Sequence, residues 1–476
     1  MPVNQTVVPN HEDASAQPTE APVAADSTLR ITDPRDGSLV GTVPMTPLDE
    51  LPGILARARS AAASWSRTAP AERGALLRAA AHALAAHEEE LATLNERETG
   101  KLYEQSLGGV RAGVDTLLQY AELGPLHRGK QLRGGFTAVD YAVPEPRGVV
   151  VALTPWNDPI AVAAGLLGAA LVSGNAVVYK PSEKCPHVGA LFGEILAEAL
   201  PADVLIPVTG DGAVGAALSG STGVDVIAHV GSTASGQSIA RAAALTGAHV
   251  LRENGGNDAL VVDGDVDPVW AAGQAALGAF TNTGQICTSV ERIYVHRAIA
   301  EPFVAALVAE ARQRAETNAL GPIVDEVQRS AVHAAVQASI DAGAVAEIGG
   351  AVPDGPGTYY PPTVLTSCTA DMPVMSEETF GPIAPVMVVD SFDEGLRRAA
   401  DDRYGLAASV LTRSLENAHR AAAELPVGTV KVNAVFGGAP GGAAQPRRDS
   451  GSGYGYGPEL LDEMTTTKVV HIGLPG

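Results

Sequence analysis

The chain has 476 residues, 46% of them hydrophobic, which is enough for two or three units with sizeable cores. Its 54 acidic and 32 basic residues give a formal net charge of −22, which repels phosphate backbones and anionic lipids and disfavours nucleic acid and membrane as partners. Three cysteines without paired spacing argue against a disulfide framework and against a thiolate metal site, and we expect no metal.

Residues 1–27 are polar, acidic and rich in Pro and Ala, a composition typical of a disordered tail. They contain no basic region followed by an apolar core, as a signal peptide would. The longest apolar stretch, Pro159 to Val172, is too short to span a bilayer. A cytoplasmic location is therefore the default expectation.

The chain then changes from helices alone to strands alternating with helices. Thr46 to Glu98 is Ala-rich with Leu at helical intervals, which predicts amphipathic helices broken near Thr68-Ala-Pro. From Arg147 onward the expected strands are 148–153, 176–179, 204–208, 224–229 and 249–252, and the expected helices are 159–171 and 187–200. This alternation predicts a parallel, doubly wound sheet that binds ligands at the carboxyl ends of its strands.

A second alternating region, Ala259 to about Val432, predicts a second α/β domain. It includes strand-like runs at Arg292-Ile-Tyr-Val and Ala384-Pro-Val-Met-Val-Val. Gly437 to Gly457 is Gly/Pro-rich and too long for a routine connector, which is typical of functional loops.

Cys287 is predicted to lie on a turn between a helix ending near Asn282 and a following strand. A lone cysteine is more often a small buried apolar residue, and Cys185 and Cys368 are interpreted in that way. Other candidate catalytic residues accompany Cys287 in the sequence, and they favour a catalytic role for it. Glu253 ends a strand and is followed by two glycines, so its carboxylate is a candidate general base.

Asn157, just after a buried strand, supplies the third candidate group. Its side-chain amide and the backbone N–H of Cys287 are suited to stabilise a developing oxyanion. Taken alone, Asn157 is more often a turn residue or helix cap, and Glu253 a solvated strand end.

Two glycine-containing loops compete for a phosphate site. Gly231-Ser232-Thr-Ala-Ser-Gly236 opens a helix directly after a strand, and a helix N-terminus is suited to pyrophosphate. Gly210-Asp-Gly212-Ala-Val-Gly215 matches the loose dinucleotide pattern, but Asp211 would place a carboxylate beside the phosphates. We therefore favour the loop at Gly231, and small residues in either loop could also serve packing alone.

Lys180-Pro-Ser-Glu183 follows another predicted strand. Lys180 and Glu183 could hydrogen-bond the two hydroxyls of an adenosine ribose, although alone the tetrapeptide would be a surface turn. Glu183 would repel a 2′-phosphate, which favours NAD and leaves NADP possible.

Six motifs occur in an order and spacing that resemble the aldehyde dehydrogenase superfamily, from about Thr28 to near the C-terminus. They are Pro155-Trp-Asn, Lys180-Pro-Ser-Glu, Gly231-Ser-Thr-Ala-Ser-Gly, Glu253-Asn-Gly-Gly, Gly284-Gln-Ile-Cys and Glu378-Thr-Phe-Gly-Pro. Any one of them is a modest signal, whereas the ordered set is strong.

The resemblance implies two doubly wound, Rossmann-like α/β domains and a small β-ribbon oligomerisation element. The cofactor-binding domain would comprise 28–133 and 147–254, and the catalytic domain 255–457. The oligomerisation element would comprise 134–146 and 458–476, within a homodimer or homotetramer.

The resemblance also implies roles for single residues. Cys287 would be the nucleophile, Glu253 the base that activates water, and Asn157 the oxyanion donor. Glu378 would contact the nicotinamide ribose, with Phe380 against the nicotinamide end. Trp156 and Gly212 are also expected among the cofactor contacts.

Four further residues are expected around the substrate. Phe436 and Pro440, in the late loop, would border the substrate tunnel. Ile286 and Thr288 flank the nucleophile and would face the same space. With only 4% aromatic residues, the sequence does not indicate a bulky substrate.

Three positions depart from the family pattern. Asn254 and Asn257 stand where the family commonly has Leu and Lys, so local packing must differ. Asp158 stands where many relatives carry an aromatic residue. Its carboxylate would disfavour anionic aldehydes near the substrate entrance, and a helix N-cap role is an equally good interpretation.

The predicted function is oxidation of an aldehyde to its acid with NAD(P)+, through a cysteine thiohemiacetal and a thioester. One alternative is a CoA-acylating semialdehyde dehydrogenase, which Glu253 disfavours because an activated water would consume the thioester. A catalytically silent structural homologue is the other, and the filled reactive positions argue against it.

Overall fold

The computed structural model describes residues 27–437 and 444–474. The predicted tail therefore lies outside the described residues except for Ser27, and so does Pro440. The strands are β1 (Thr28–Thr32), β2 (Leu39–Pro44), β3 (Lys130–Leu132), β4 (Val139–Pro146), β5 (Val149–Leu153), β6 (Ala176–Lys180), β7 (Leu205–Pro207), β8 (Val226–Val230), β9 (His249–Glu253), β10 (Asp258–Val262), β11 (Val290–His296), β12 (Val345–Ile348), β13 (Thr363–Thr366), β14 (Ile383–Val389), β15 (Ala407–Leu411), β16 (Thr429–Val432), β17 (Gly451–Ser452) and β18 (Thr465–Ile472).

The helices alternate with these strands from β5 onward, as the sequence predicted. They are α1 (Leu51–Trp65), α2 (Pro70–Ala86), α3 (Glu88–Thr99), α4 (Tyr103–Leu123), α5 (Pro159–Val172), α6 (Pro186–Glu198), α7 (Gly212–Ser219), α8 (Thr233–Thr246), α9 (Pro268–Phe280), α10 (Ala300–Glu316), α11 (Glu326–Asp341), α12 (Pro373–Ser376), α13 (Phe392–Ala400), α14 (Leu415–Glu424) and α15 (Leu460–Glu463). The predicted break near Thr68 is confirmed: α1 ends at Trp65, and α2 begins at Pro70, where proline's missing N–H costs nothing.

The first sheet has six strands in the order β17-β9-β8-β5-β6-β7, parallel except for β17. Its central strand β5 is buried along its whole length, because helices cover both faces of the sheet. Trp65 on α1 is buried in this core, and its indole N–H donates to the carbonyl of Leu171 at 2.9 Å. The polar tip of the largest buried side chain is thus satisfied.

The second sheet has seven strands in the order β12-β13-β14-β11-β10-β15-β16, parallel except for β12. Along β10 the side chains alternate between two separate cores. Leu260 and Val262 pack toward α9 and α10, whereas Ala259 and Val261 pack toward α11, α13 and α14. The two sheets confirm the predicted α/β class with two doubly wound units.

A third, antiparallel sheet has the order β18-β4-β3 and corresponds to the expected β-ribbon. Its strand Lys130–Leu132 had been assigned to the cofactor domain, so the ribbon begins earlier than expected. The boundary at 457 also differs from the expectation. Gly451 and Ser452 pair with β9, and α15 packs into the core of the first sheet through Leu460 and Leu461.

No helix in the described ranges is long and apolar enough to cross a membrane. Within the same ranges, no group of three or more Asp, Glu, His or Cys side chains is arranged to hold a metal ion.

Candidate active site

Two adjoining cavities open where the carboxyl ends of β5, β8 and β9 face the loops that precede β11 and β14. The smaller cavity has a volume of about 200 Å³ and the larger about 430 Å³. The residues that line both are Pro155, Trp156, Val230, Gly231, Ser232 and Gln328. This is the edge at which doubly wound sheets bind their ligands.

Cys287 lines the smaller cavity from a tightly built turn. The N–H of Ser289 donates to the carbonyl of Ile286 at 2.9 Å, which places the thiol at the tip of this turn. Before it, Asn282 and Thr283 adopt left-handed φ values of 50° and 58°. That conformation is costly for a β-branched residue, so the surrounding contacts must enforce it. One of them is the Thr283 hydroxyl, which donates to Gly321 O at 2.9 Å.

Glu253 ends β9, and its carboxylate is near enough to the Cys287 thiol for each group to change the pKa of the other. Burial raises the pKa of Glu253 above its ordinary value, and the contact with Cys287 opposes that change. Burial and the carboxylates of Glu253, Asp258 and Glu378 raise the pKa of Cys287 well above its ordinary value. The resting pair therefore keeps its proton on sulfur, with an acceptor beside it.

The space beside the Glu253 carboxylate exists because residue 455 is glycine. A Cβ at Gly455 would lie 2.9 Å from Oε2 of Glu253, closer than real Cβ contacts allow. The backbone of Glu253, at the end of β9, is held by antiparallel pairing with Gly451 of β17. The carboxylate is thus fixed through its backbone while its side chain keeps room for movement.

Asn157 is brought to the nucleophile turn, as the sequence predicted. Its side-chain amide donates to the carbonyl of Gln285 at 3.1 Å, and the amide of Asn282 donates to the same carbonyl at 3.1 Å. An amide nitrogen carries two hydrogens, so one N–H of Asn157 remains for a ligand in the cavity.

The larger cavity contains Lys180, Glu183, Gly212, Gly231 and Ser232 from the predicted cofactor set. Nζ of Lys180 lies 3.6 Å from the Glu183 carboxylate, and burial lowers the pKa of Lys180. The two side chains therefore meet at one end of the cavity.

The two competing helix N-termini also differ in charge. The carboxylate of Asp211 caps α7 by accepting from Ala213 N at 2.9 Å, whereas the neutral hydroxyl of Ser232 caps α8. Negative charge thus already occupies the start of α7. This favours α8 as the helix terminus for an anion.

Glu378, Phe380 and Trp156 lie together at the smaller cavity. The Glu378 carboxylate accepts from Gly256 N at 3.0 Å, and burial raises the pKa of Glu378 to about 7. The rings of Trp156 and Phe380 meet edge to face, with centroids 5.5 Å apart.

A family model described as "Aldehyde dehydrogenase family" matches residues 23–470. The chain belongs to the aldehyde dehydrogenase family. This confirms the predicted resemblance and the predicted reaction class, NAD(P)-dependent oxidation of an aldehyde.

Relatives and solved structures agree over nearly the whole chain. A betaine aldehyde dehydrogenase of Cereibacter sphaeroides is 36% identical over 436 residues, 88% of this chain and 88% of that protein. An NAD-dependent aldehyde dehydrogenase from Sinorhizobium meliloti is 31% identical with a TM-score of 0.91, over 96% of this chain and 94% of that one. A betaine aldehyde dehydrogenase from Staphylococcus aureus in complex with NAD+ is 29% identical with a TM-score of 0.91, over 94% and 92%.

Several of the predicted site residues of this aldehyde dehydrogenase do not line either described cavity. Gly236 does not line either cavity: a Cβ there would lie 1.9 Å from Oδ1 of Asn254, so the glycine allows close packing of α8. Ile286 and Thr288 flank Cys287 but do not line the smaller cavity. Phe436 packs toward the core around α9 and α10, beneath Nζ of Lys431.

The side chain of Asp158 does not cap α5, one of the two roles considered for it. It precedes α5 at the N-cap position, but its side chain makes no capping hydrogen bond. Instead it forms an ion pair with the nearly buried ammonium of Lys101, with 3.1 Å between Nζ and Oδ1. The glycine at 109 leaves room for the carboxylate. The negative charge of Asp158 is therefore paired with the ammonium of Lys101.

Six wall residues of the smaller cavity are not among the predicted site residues, namely Pro155, Val162, Val230, Asn254, Gly255 and Gln328. From the sequence, Asn254 is only a departure from the family pattern. Its amide donates to Asp449 O at 2.7 Å, which ties β9 to the late segment. Gln328 follows the helix cap Asp325, and no local motif distinguishes it from a surface residue.

Proposed function

We propose that this protein is an NAD(P)-dependent, non-acylating aldehyde dehydrogenase in which Cys287 is the nucleophile, Glu253 the general base and Asn157 the oxyanion donor. The observation that carries the proposal is the position of Cys287 and Asn157 on the wall of one cavity, with the Glu253 carboxylate near enough to raise the pKa of the thiol. The test is a rapid-mixing assay with an aldehyde and NAD+. It should produce a burst of NADH equal to the subunit concentration, unaffected by added coenzyme A.

The larger cavity fits a dinucleotide. Gly212 leaves open space, the serine-capped N-terminus of α8 is suited to pyrophosphate, and Lys180 with Glu183 is suited to ribose hydroxyls. Glu378 and Phe380 are proposed to hold the nicotinamide end. The carboxylate of Glu183 favours NAD over NADP, because it would repel a 2′-phosphate.

The proposed steps follow from the positions of three side chains. Cys287 releases its proton to solvent and adds as the thiolate to the aldehyde carbon, and the oxyanion accepts hydrogen bonds from the remaining N–H of Asn157 and from the backbone N–H of Cys287. When bound, nicotinamide supplies the acceptor for the aldehyde hydride, leaving an acyl thioester on Cys287. Glu253 then removes a proton from water as the water attacks the thioester, and the acid leaves.

We propose that the first sheet unit binds the cofactor, the second carries the nucleophile, and the β-ribbon joins subunits into a homodimer or homotetramer. The ribbon supports this through exposed apolar side chains, Val139, Tyr141, Val469 and Ile472. Such residues in one small sheet are typical of a subunit interface.

Replacing Gly455 by alanine is expected to slow turnover about tenfold while leaving the NADH burst intact, because an added Cβ restricts only the base. Steady-state and pre-steady-state NADH absorbance measure the two quantities. Gly108→Ala is the matched control, since a Cβ at that helical glycine meets nothing within 4 Å. Equal turnover in both variants would remove Gly455 from the mechanism.

Although relatives are named betaine aldehyde dehydrogenases, we expect this enzyme not to prefer a quaternary ammonium aldehyde. The Asp158 carboxylate is paired with Lys101. The ammonium of Lys184 lies 5.2 Å from the centre of the Trp156 ring. Neither the carboxylate nor the ring is therefore free to bind the cation of such a substrate. The kcat/KM for betaine aldehyde should stay within about tenfold of that for its uncharged isostere 3,3-dimethylbutanal.

Lys101→Met is the control for the substrate prediction. It leaves the Asp158 carboxylate unpaired and should shift the preference toward betaine aldehyde. A native enzyme that favours betaine aldehyde by about a hundredfold or more would contradict the prediction.

A further inference from the structure

The backbone N–H and C=O groups of two consecutive residues beside the smaller cavity are all hydrogen-bonded to side chains. The N–H groups of Thr379 and Phe380 donate to the carboxylate of Glu291 at 3.1 and 3.0 Å. The carbonyls of the same two residues accept from the side-chain amide of Gln328 at 3.3 Å each. We refer to Glu291 and Gln328 as the peptide clamp.

The clamp holds a backbone conformation that the chain would not adopt readily. Phe380 has a φ of 51°, in the left-handed region that an aromatic residue rarely occupies. In this conformation its ring lines the smaller cavity and meets Trp156, while Glu378 lies against Gly256 N. The residues proposed to hold the nicotinamide end therefore depend on a strained loop.

The position of Glu291 is suited to holding these two amides, and the described residues show no second role for it. It lies on β11, four residues after Cys287, and is 3% exposed. Burial and the nearby Glu378 carboxylate raise the pKa of Glu291 to about 8. Burying an ionisable group is costly, and the hydrogen bonds from the two amides offset part of that cost.

The other half of the clamp is connected to the cofactor side of the cleft. The backbone N–H of Gln328 donates to the Asp325 carboxylate at 2.8 Å, at the start of α11. Asp325 forms an ion pair with Lys184 at 2.8 Å, and Lys184 lies over Trp156. The peptide clamp is thus connected through Asp325 and Lys184 to Trp156, on the cofactor side of the cleft.

We propose that Glu291 is a positioning residue for the cofactor. Through the amides of Thr379 and Phe380 it holds Glu378 and Phe380 in the orientation that binds the nicotinamide end. The proposal rests on the proposed function, because it assumes that this cavity binds the reactive half of NAD(P).

The test measures the binding of NAD+ and NADP+ in the absence of aldehyde, for the wild type and for Glu291→Gln. Binding is monitored by the quenching of tryptophan fluorescence. The glutamine has one acceptor oxygen for two amide donors, and its NH2 group would face a donor. The Kd of the preferred cofactor should rise about tenfold, which corresponds to about 1.4 kcal/mol.

Glu98→Gln is the matched control. Glu98 is also a buried carboxylate that accepts from two consecutive backbone amides, His187 N at 3.0 Å and Val188 N at 2.8 Å, but it does not line either cavity. Both substitutions should lower Tm, whereas only Glu291→Gln should raise the Kd. Stability loss alone therefore cannot account for the expected result.

Each remaining outcome decides a separate question. A wild type that binds neither NAD+ nor NADP+ would overturn the proposed function itself. A wild type that binds, with equal Kd values in the two Gln variants, would overturn only the role of Glu291. If Glu291→Gln does not fold, Glu291→Asp is compared with Glu98→Asp. Loss of folding in both Glu291 variants would assign the residue to the fold and reject the proposal.

Discussion

Cys287→Ala is expected to lower kcat by at least about 10⁴-fold, because loss of the nucleophile removes the covalent route entirely. The other two thiols cannot replace it: Cys185 and Cys368 are buried. Burial raises the pKa of both, and neither lines the smaller cavity. The measurement is NADH formation with a reactive aldehyde, together with mass spectrometry of the acylated protein.

The control for the nucleophile is the double variant Cys185→Ala, Cys368→Ala, which should keep the turnover of the wild type. In that background iodoacetamide can label only Cys287. Because the pKa of Cys287 is raised, the rate of alkylation should still increase above pH 9. Full turnover after complete alkylation, or in Cys287→Ala, would reject the mechanism.

Glu253→Gln is expected to lower steady-state turnover about 10²- to 10³-fold, the usual contribution of a general base. The NADH burst should persist, because hydride removal precedes the hydrolysis that Glu253 serves. Removing this negative charge should also lower the pKa of Cys287, which makes its alkylation near pH 7 faster while turnover becomes slower. These opposite changes in one variant separate the roles of the two residues.

Glu301→Gln, at an exposed position on α10, is the control for the base and should behave as wild type. The decisive measurement is the burst amplitude beside the steady-state rate. If Glu253→Gln lost burst and steady state in equal proportion, Glu253 would act before hydride transfer. An unchanged steady-state rate would remove it from the reaction altogether.

Much of the fold could be predicted because it is encoded in local patterns. The buried run at β5 and the apolar helix α5 were expected at 148–153 and 159–171, within one residue of the observed bounds. Parallel strands covered on both faces must be apolar along their length, so their positions are visible in a single sequence. The strand β17 was not visible, because two residues carry no periodicity.

The active-site residues also fall into two groups, those marked by local motifs and those placed by contacts between distant segments. The Cys287, Glu253 and Asn157 positions follow from motifs that mark strand ends and turns, and the structure brings them together. The ion pair of Asp158 with Lys101 joins residues distant in the chain, so only the packing of α4 against α5 places them in contact. Glu291 and Gln328 were missed for the same reason, since each acts on a loop far along the chain.

Pairing of Gly451 with Glu253 gives the proposed base an unusual dependence on chain order. The strand that carries Glu253 becomes an interior strand only when a segment near the C-terminus joins it. During synthesis on the ribosome, Glu253, Asn157 and Cys287 would therefore all emerge before the base acquires its final support. A nascent chain would therefore carry every proposed reactive group before β9 gains its second neighbouring strand.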